Sequence, residues 1–585
     1  MESNKRTNID VMLDELKQIV PPGKDSFSTA SEFKKDFMAK VKQLKPVNSP
    51  LSKLKFYAAA TVVAATMLGT LFFLDLDSTS SIPAIYAPEW DGTVSARKNG
   101  LIGYSDSDIP EINDIPILNT EEYKGFIPNT FLSTKEQSLS TFGADVDTAS
   151  YTNVRRMLML ESRLPPVDAV RIEEFINYFH YDYPAPKSSD KFAVSFEMMK
   201  CPWTPEHKLL LIGLQARKIE LEKLPPSNFV FLVDTSGSMS NSMPLVIEAM
   251  SMLAKQLRPN DKVSLVTYGG GVQILLDGLA GEKKAGIIAK LEALRSCGYT
   301  PGGAGIQTAY QLARKHFIRK GNNRIILITD GDFNVGASSE SELVRMVETE
   351  RKSEVYLSVF GVGMGNYKDN KLKMLANKGN GNYGYLDNIR EAKNALVNEY
   401  KGGMFTLARD VKLQVEFNSD KIHAYRLLGY ELRKMENRDF RDDTKDSGEI
   451  GVGHQVTALY ELVMEDAPEN VKRKSLPDKQ NLKYQKITNI RSDELLTFRL
   501  RYRDVEGNAS ATEKEFVLKD IPQKTMNVQW ASCAAEFALL LRDSPFKGNA
   551  TYEALRRRAV KLIGNDERGD RAEFLTLIRE AEDAK

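Results

Sequence analysis

Phe229-Val230-Phe231-Leu232-Val233-Asp234-Thr235-Ser236-Gly237-Ser238-Met239 is an apolar run that stops at Asp-x-Ser-x-Ser. A buried strand ending this way sets one carboxylate and two hydroxyls on a single turn, and hard divalent cations select oxygen ligands of this kind. Two later segments extend the pattern. Thr300 lies in Gly298-Tyr299-Thr300-Pro301-Gly302-Gly303, a loop ahead of a helical stretch, and Asp330 ends a second apolar run, Ile325-Ile326-Leu327-Ile328-Thr329-Asp330-Gly331. In an open α/β sheet the carboxyl ends of parallel strands form one ligand-binding rim, so the three segments are expected to converge there. A simpler account gives Asp234 and the serines only the capping of the next helix. At Ser238 capping and metal binding are compatible.

Residues 227–403 alternate strand-like and helix-like text around this stretch, from Phe229–Val233 and Met243–Gln256 through Ile325–Thr329 to Tyr383–Leu386. That order predicts an α/β domain, a doubly wound, mostly parallel, Rossmann-like sheet with helices on both faces. On either side lies strand text alone: Phe192–Met198 and Leu209–Ile219 before it, Val411–Phe417, Ala424–Leu432, Gln455–Met464 and Leu495–Tyr502 after it. The α/β domain therefore reads as an insert in a β-sandwich made of residues 190–226 plus 404–519. Residues 131–189 precede these as a separate N-terminal region, and Glu436–Gly448, crowded with alternating charge, reads as a solvated hairpin tip. Residues 520–585 carry helical periodicity, with Trp530, Phe537, Leu540 and Leu541 as a core-facing stripe.

Asp234, Ser236, Ser238, Thr300 and Asp330 occur in the order and loop contexts of the metal-ion-dependent adhesion site of von Willebrand factor type A (VWA) domains, and on these residues the chain resembles that family. The threonine and the Asp-Gly after a β-run add specificity that a lone D-x-S-x-S lacks. The resemblance implies that Ser236, Ser238 and Thr300 supply hydroxyl or water-mediated ligands, with Asp234 and Asp330 bonding mainly through coordinated waters. It implies Mg2+, which keeps several waters in its shell of six oxygens, with Mn2+ or Ca2+ as alternatives. Neutral hydroxyl ligands leave the cation electrophilic, so the partner implied is a protein presenting Asp or Glu. The text from Phe142-Gly143-Ala144-Asp145-Val146-Asp147-Thr148 through Tyr181-Asp182-Tyr183-Pro184 resembles the region preceding the VWA domain in bacterial YfbK-type proteins. Gly451–Glu461, Arg542-Asp543-Ser544-Pro545-Phe546 and Arg571-Ala572-Glu573-Phe574 resemble the uncharacterised C-terminal domain of the same type. Asp145, Asp147 and Ser150 look like a second oxygen cluster, but capping of the next helix by Asp147 or Thr148 explains them more simply.

Phe56 to Leu74 is an uncharged run of about 19 residues, long enough to span a bilayer. Lys40, Lys42, Lys45, Lys53 and Lys55 precede it, whereas Asp75 and Asp77 follow it. The positive-inside rule then makes residues 1–55 a cytoplasmic tail and puts the bulk of the chain outside the inner membrane. A moderately hydrophobic buried helix is the competing account of 56–74. Residues 75–130, rich in Ser, Pro, Asp and Asn, read as a disordered tether.

The chain has 585 residues, 42% of them hydrophobic, enough for several cored domains. Its balance of 80 basic to 79 acidic residues argues against nucleic acid as a partner. Cys201, Cys297 and Cys533 show no metal-ligand spacing and read as small buried hydrophobes. The motifs H-E-x-x-H, G-x-x-x-x-G-K-[ST] and G-x-S-x-G are missing from the sequence. Its five histidines are scattered, so no base is poised for catalysis and an enzyme is not expected. The expected function is a membrane-anchored, extracytoplasmic, Mg2+-dependent protein-binding module. The alternative is a transmembrane signalling protein whose cytoplasmic tail binds a regulator in the manner of anti-sigma factors; a metal-dependent hydrolase ranks behind both.

Overall fold

The computed structural model describes residues 120–585 apart from 145–146, 188, 299–301, 332–339, 399–402, 446, 477–491 and 506–509. The tail at 1–55, the expected membrane span at 56–74 and the tether up to 119 lie outside the described residues. Among the described residues no helix is long and apolar enough to cross a membrane.

Strands β1 (Leu132–Ser133), β2 (Leu139–Gly143), β3 (Phe192–Lys200) and β4 (Lys208–Ala216) precede the α/β block. The block contains β5 (Ser227–Asp234), β6 (Lys262–Tyr268), β7 (Val272–Ala280), β8 (Asn322–Thr329), β9 (Val355–Gly361) and β10 (Asn380–Tyr385). After it come β11 (Thr406–Phe417), β12 (Ile422–Leu427), β13 (Lys434–Met435), β14 (Ile450–Gly451), β15 (Gln455–Met464), β16 (Leu496–Asp504) and β17 (Thr512–Leu518).

The block is one six-stranded sheet in the order β10-β9-β8-β5-β6-β7. All neighbours run parallel except the edge pair β6 and β7. Every residue of β5 is buried, which is what a near-continuous apolar run in a parallel sheet requires. Phe229, Phe231 and Val233 pack on one face with Val246, Met250 and Leu253 of the helix Met243–Gln256. Val230 and Leu232 pack on the other with Ile306, Ala309 and Ala313 of the helix Gly302–Lys315.

Two antiparallel sheets, β1-β12-β15-β4-β3 and β13-β2-β11-β16-β17, face each other across a second core that includes Phe142, Ile212, Val415, Tyr460 and Phe498. β4 from before the block pairs directly with β15 from after it, Leu211 opposite Leu459. Two arginines, Arg258 half-buried and Arg324 buried, fasten the two places where the chain crosses between sandwich and block. On the way in, Arg258 donates to the carbonyls of Leu221, Leu224 and Pro225, while Asp261 accepts from the Ser227 amide at 2.7 Å. On the way out, Arg324 Nη2 donates to the Met404 carbonyl at 2.9 Å.

Three stretches differ from the sequence reading. β1 and β2 are sandwich strands drawn from the region read as separate and N-terminal; both are short, and β2 owes its place to β11 on one side and β13 on the other. Residues 120–130, inside the interval read as tether, are fastened to the body: Thr120 N donates to Gly365 O at 2.7 Å and Asn129 Nδ2 to the Leu427 and Gly429 carbonyls. The 436–448 segment is not a bare solvated tip, since Phe440 is buried within it.

A third core joins the helices Ala149–Met159 and Ile172–Ile176 to the C-terminal helices Met526–Leu541, Tyr552–Val560 and Asp570–Asp583. Trp530 meets Phe179 and Phe574 edge-on at 5.2 and 5.5 Å. This assembly is tied to the α/β block by buried ions: Arg171 grips Asp369 with two hydrogen bonds, of 2.9 and 3.1 Å. Arg155 grips Asp387 in the same way, at 2.7 and 2.6 Å.

Gly213 in β4 has no room for a side chain, because a Cβ there would stand 2.4 Å from the Tyr183 ring. That ring is anchored through its hydroxyl to Thr457 Oγ1 at 2.9 Å. Gly213→Ala is expected to cost about 1–3 kcal/mol by overpacking, read as a fall in the urea midpoint with an unchanged slope.

Candidate metal centre

The carboxyl ends of β5 and β8 lie side by side, because Val233 is in register with Ile328 and Asp234 with Tyr268 on the other flank. Asp234 thus sits at the middle of the rim. It is buried and takes hydrogen bonds from neutral donors: the Ser236 amide to Oδ1 at 2.9 Å, and the hydroxyls of Thr329 and Tyr268 to Oδ2 at 2.7 and 3.2 Å. Burial raises its pKa, the Ser236 and Thr329 hydrogen bonds oppose the rise, and the charge of Asp330 adds to it. Asp330, also buried, accepts from Asn366 Nδ2 at 3.0 Å.

Ser236 and Ser238 follow on a short 3-10 turn, Gly237–Asn241. Neither hydroxyl caps a helix: Ser236 precedes the turn without a side-chain capping bond, and Ser242, at the head of the helix Met243–Gln256, makes none either. The capping account of the serines therefore fails. Their oxygens instead stand 3.1 Å apart, Ser236 half-buried and Ser238 exposed. Two adjacent hydroxyls at the mouth and two buried carboxylates behind them are the donor set that a hard cation takes, so the residues fit such an ion.

Thr300 lies outside the described residues. The loop leading to it is fixed on the serine turn: Cys297 N donates to Thr235 O at 2.7 Å and Gly237 N to Gly298 O at 3.2 Å. Gly298 has φ +70, and a Cβ there would lie 2.8 Å from the Gly269 carbonyl, so this position needs glycine. Cys297 is exposed beside the turn, unlike Cys201 and Cys533, which are buried as expected of small hydrophobes. Among the described residues no three His, Cys, Asp or Glu side chains gather as a metal group; at this rim the oxygens come from serines as much as from carboxylates. The second oxygen cluster dissolves: Asp145 lies outside the described residues, and Asp147 pairs with Arg433 at 2.9 Å and Lys373 at 3.2 Å. Thr148 does not cap the next helix with its side chain.

Sequence reading missed Thr329, Tyr268 and Asn366. Thr329 was discoverable, since a polar residue closing an apolar strand beside a carboxylate needs a partner. Tyr268 and Asn366 become neighbours of the site only through strand register and loop path.

The sequence model of the von Willebrand factor type A domain matches residues 228–398, that of von Willebrand factor matches residues 117–211, and that of the YfbK C-terminal region, described as uncharacterised, matches residues 402–584. The α/β block is thus a VWA domain, a class whose general role is protein–protein interaction. The chain is 38% identical over 474 residues to the uncharacterised protein YfbK of Escherichia coli (strain K12), covering 79% of this chain and 81% of that one, and it belongs to the YfbK-type family. It is also 30% identical over 184 residues to inter-alpha-trypsin inhibitor heavy chain H2 of Sus scrofa, 29% of this chain and 19% of that one. Among solved structures, a von Willebrand factor type A protein from Catenulispora acidiphila aligns at 16% identity and TM-score 0.37, over 68% of this chain and 91% of that one.

Thr329 donates to Asp234 Oδ2 and accepts from the Gly331 amide at 3.1 Å. Thr329→Val keeps the shape and removes both bonds inside the sheet. A loss of about 1–3 kcal/mol is expected for polar groups left unsatisfied, measured by urea denaturation with EDTA present so that metal plays no part.

Proposed function

We propose that the protein is a membrane-anchored, extracytoplasmic binding module that captures an acidic side chain of a partner protein at a Mg2+-dependent adhesion site. Ser236, Ser238 and Thr300 would hold the ion with their hydroxyls, while Asp234 and Asp330 supply the balancing charge behind them. When bound, Mg2+ provides an electrophilic position that a carboxylate oxygen from another protein completes. The chain's own residues do the rest. Thr329 and Tyr268 fix the Asp234 carboxylate, the serine turn presents its hydroxyls at the surface, and the bonds of Cys297 and Gly298 hold the chain ahead of residue 299 against that turn.

The observation that carries this reading is the pair of serine hydroxyls, hydrogen-bonded to each other at 3.1 Å at the mouth, beside a buried carboxylate that is satisfied by neutral donors. Mg2+ in place of another ion follows from the hydroxyl-rich set, which leaves several positions to water. The anchoring rests on the uncharged run at 56–74 and the lysines before it.

Calorimetry with Mg2+ should give saturable binding to the wild type and none to Asp234→Ala or Asp330→Ala, with circular dichroism unchanged. Thr300→Ala should weaken Mg2+ modestly and carboxylate-bearing partners strongly, since its hydroxyl joins the ion when a partner raises the demand for ligands. Mg2+ binding that survives both Asp substitutions would sink the site. Protease added to spheroplasts should remove the large folded part and spare a short N-terminal fragment; complete protection would overturn the topology.

A further inference from the structure

Away from the oxygen rim, the α/β block, the sandwich and the helical regions border an open cleft of about 510 Å3, at which His180 and Lys218 are exposed. Four basic side chains from four separate segments line it: His180, Lys218, His454 and Arg568. The carboxylates in the same lining are already committed, Asp147 to Arg433 and Lys373 and Glu391 to Arg155. Arg568 has Asp570 at 2.9 Å from Nε. Lys218 makes no ion pair among the described residues. The basic groups press on one another: His180 is reached by solvent yet crowded by protein, and burial first, then the charges of Arg568, His454 and Lys218, hold its imidazole down to about 4.

A second cavity, of about 530 Å3, shares His454, Asn382 and Gly403 with the first. Arg324 lines it from β8, buried and hydrogen-bonded to neutral partners, the Ser358 hydroxyl at 2.7 Å and the Met404 carbonyl at 2.9 Å. The second lining is mixed in sign, with Asp147, Glu348 and Glu449 beside Arg324 and Arg433, and Asp147 is common to both. The carboxylates of the first lining are spent on other partners, so the donors left facing its space are basic; a cleft with such a bias gathers counter-ions, and cavities of roughly 300–1,000 Å3 are the size that holds small organic ligands.

We propose that this cleft is a second binding site, for a small multivalent oxyanion, either a polycarboxylate or a phosphate, seated among His180, Lys218, His454 and Arg568. An anion there would pair with Lys218 and take hydrogen bonds from the His180, His454 and Arg568 side chains. It would also touch the helical region at 177–181, the sandwich at 218 and 454 and the α/β block at 382–386, and so brace these parts against one another. A ligand that binds only the folded arrangement raises its stability.

The test is calorimetry and thermal denaturation of the full chain in detergent, titrated with citrate and, separately, with inorganic phosphate. EDTA is present throughout, so that metal chelation by citrate plays no part. Saturable binding of at least one probe with a raised melting temperature is expected, and the arm that responds identifies the chemistry. K218A and H454Q should each weaken that binding by about 10-fold or more, as loss of a charge-assisted contact does, with circular dichroism unchanged. K519A, an exposed lysine outside the cleft, and D234A should leave it unaltered. Absence of saturable binding by both probes, or wild-type affinity in both K218A and H454Q, overturns the proposal. Because EDTA is present and D234A is a control, this result is independent of the fate of the Mg2+ site.

Discussion

A guanidinium withdrawn from water needs partners in good geometry, and at two arginines those partners are carboxylates that tie together three separate parts of the chain. Arg171, at the start of the helix Ile172–Ile176, is held by Glu174 of the same helix and by Asp369 of the α/β block. Lys373, one turn beyond Asp369, returns to Glu174 at 2.6 Å. Arg155 meets Asp387 and Glu391 of the block and Glu573 of the last helix. Removing one member of such a set strands the others, at about 3–5 kcal/mol. The N-terminal helices, the VWA block and the C-terminal helices are thereby held to one mutual arrangement, and the basic cleft exists only because they are.

The oxygen rim follows from a different necessity. β5 is sealed on both faces and flanked by β6 and β8, so its last residue is the first place along it where a polar group can reach the surface. A carboxylate there is half in the sheet. Hydroxyls of Thr329 and Tyr268, carried by the flanking strands, satisfy its inner oxygen, and the Ser236 amide satisfies the other. Fixing Asp234 by neutral donors leaves its charge in place for a cation.

Much of this was legible before any coordinates. Alternating strand and helix text around two apolar runs, each ending in Asp, specified the parallel sheet and the rim, because burial on both faces writes itself as continuous Val, Ile, Leu and Phe. Strand text broken by the α/β pattern of 227–403, the size of a whole domain, put 190–226 and 404–519 in one sandwich, and β4 from before the break pairs residue for residue with β15 from after it. The competing account, in which the serines only cap the next helix, could be set aside only from the structure, because local sequence cannot tell which competitor a hydroxyl prefers. β1, β13 and β14 were invisible: strands of two residues carry no period, and only neighbours already in place define them. The ion pairs were hidden for a related reason, since Arg171 and Asp369 lie far apart in sequence and nothing local to either names the other.

The VWA block is joined to the sandwich at one rim, through Ser227 with its Arg258–Asp261 clasp and through Met404 beneath Arg324. The oxygen cluster occupies the opposite rim, at the far end of the same strands. Tension between Asp234 and the sandwich would therefore run lengthwise down β5, and the ladders to β6 and β8 would be strained in shear. Many backbone hydrogen bonds would then have to yield together, whereas a pull across the strands would open them one after another. An inserted domain gripped at its base would, under a load at its tip, resist traction along its own axis.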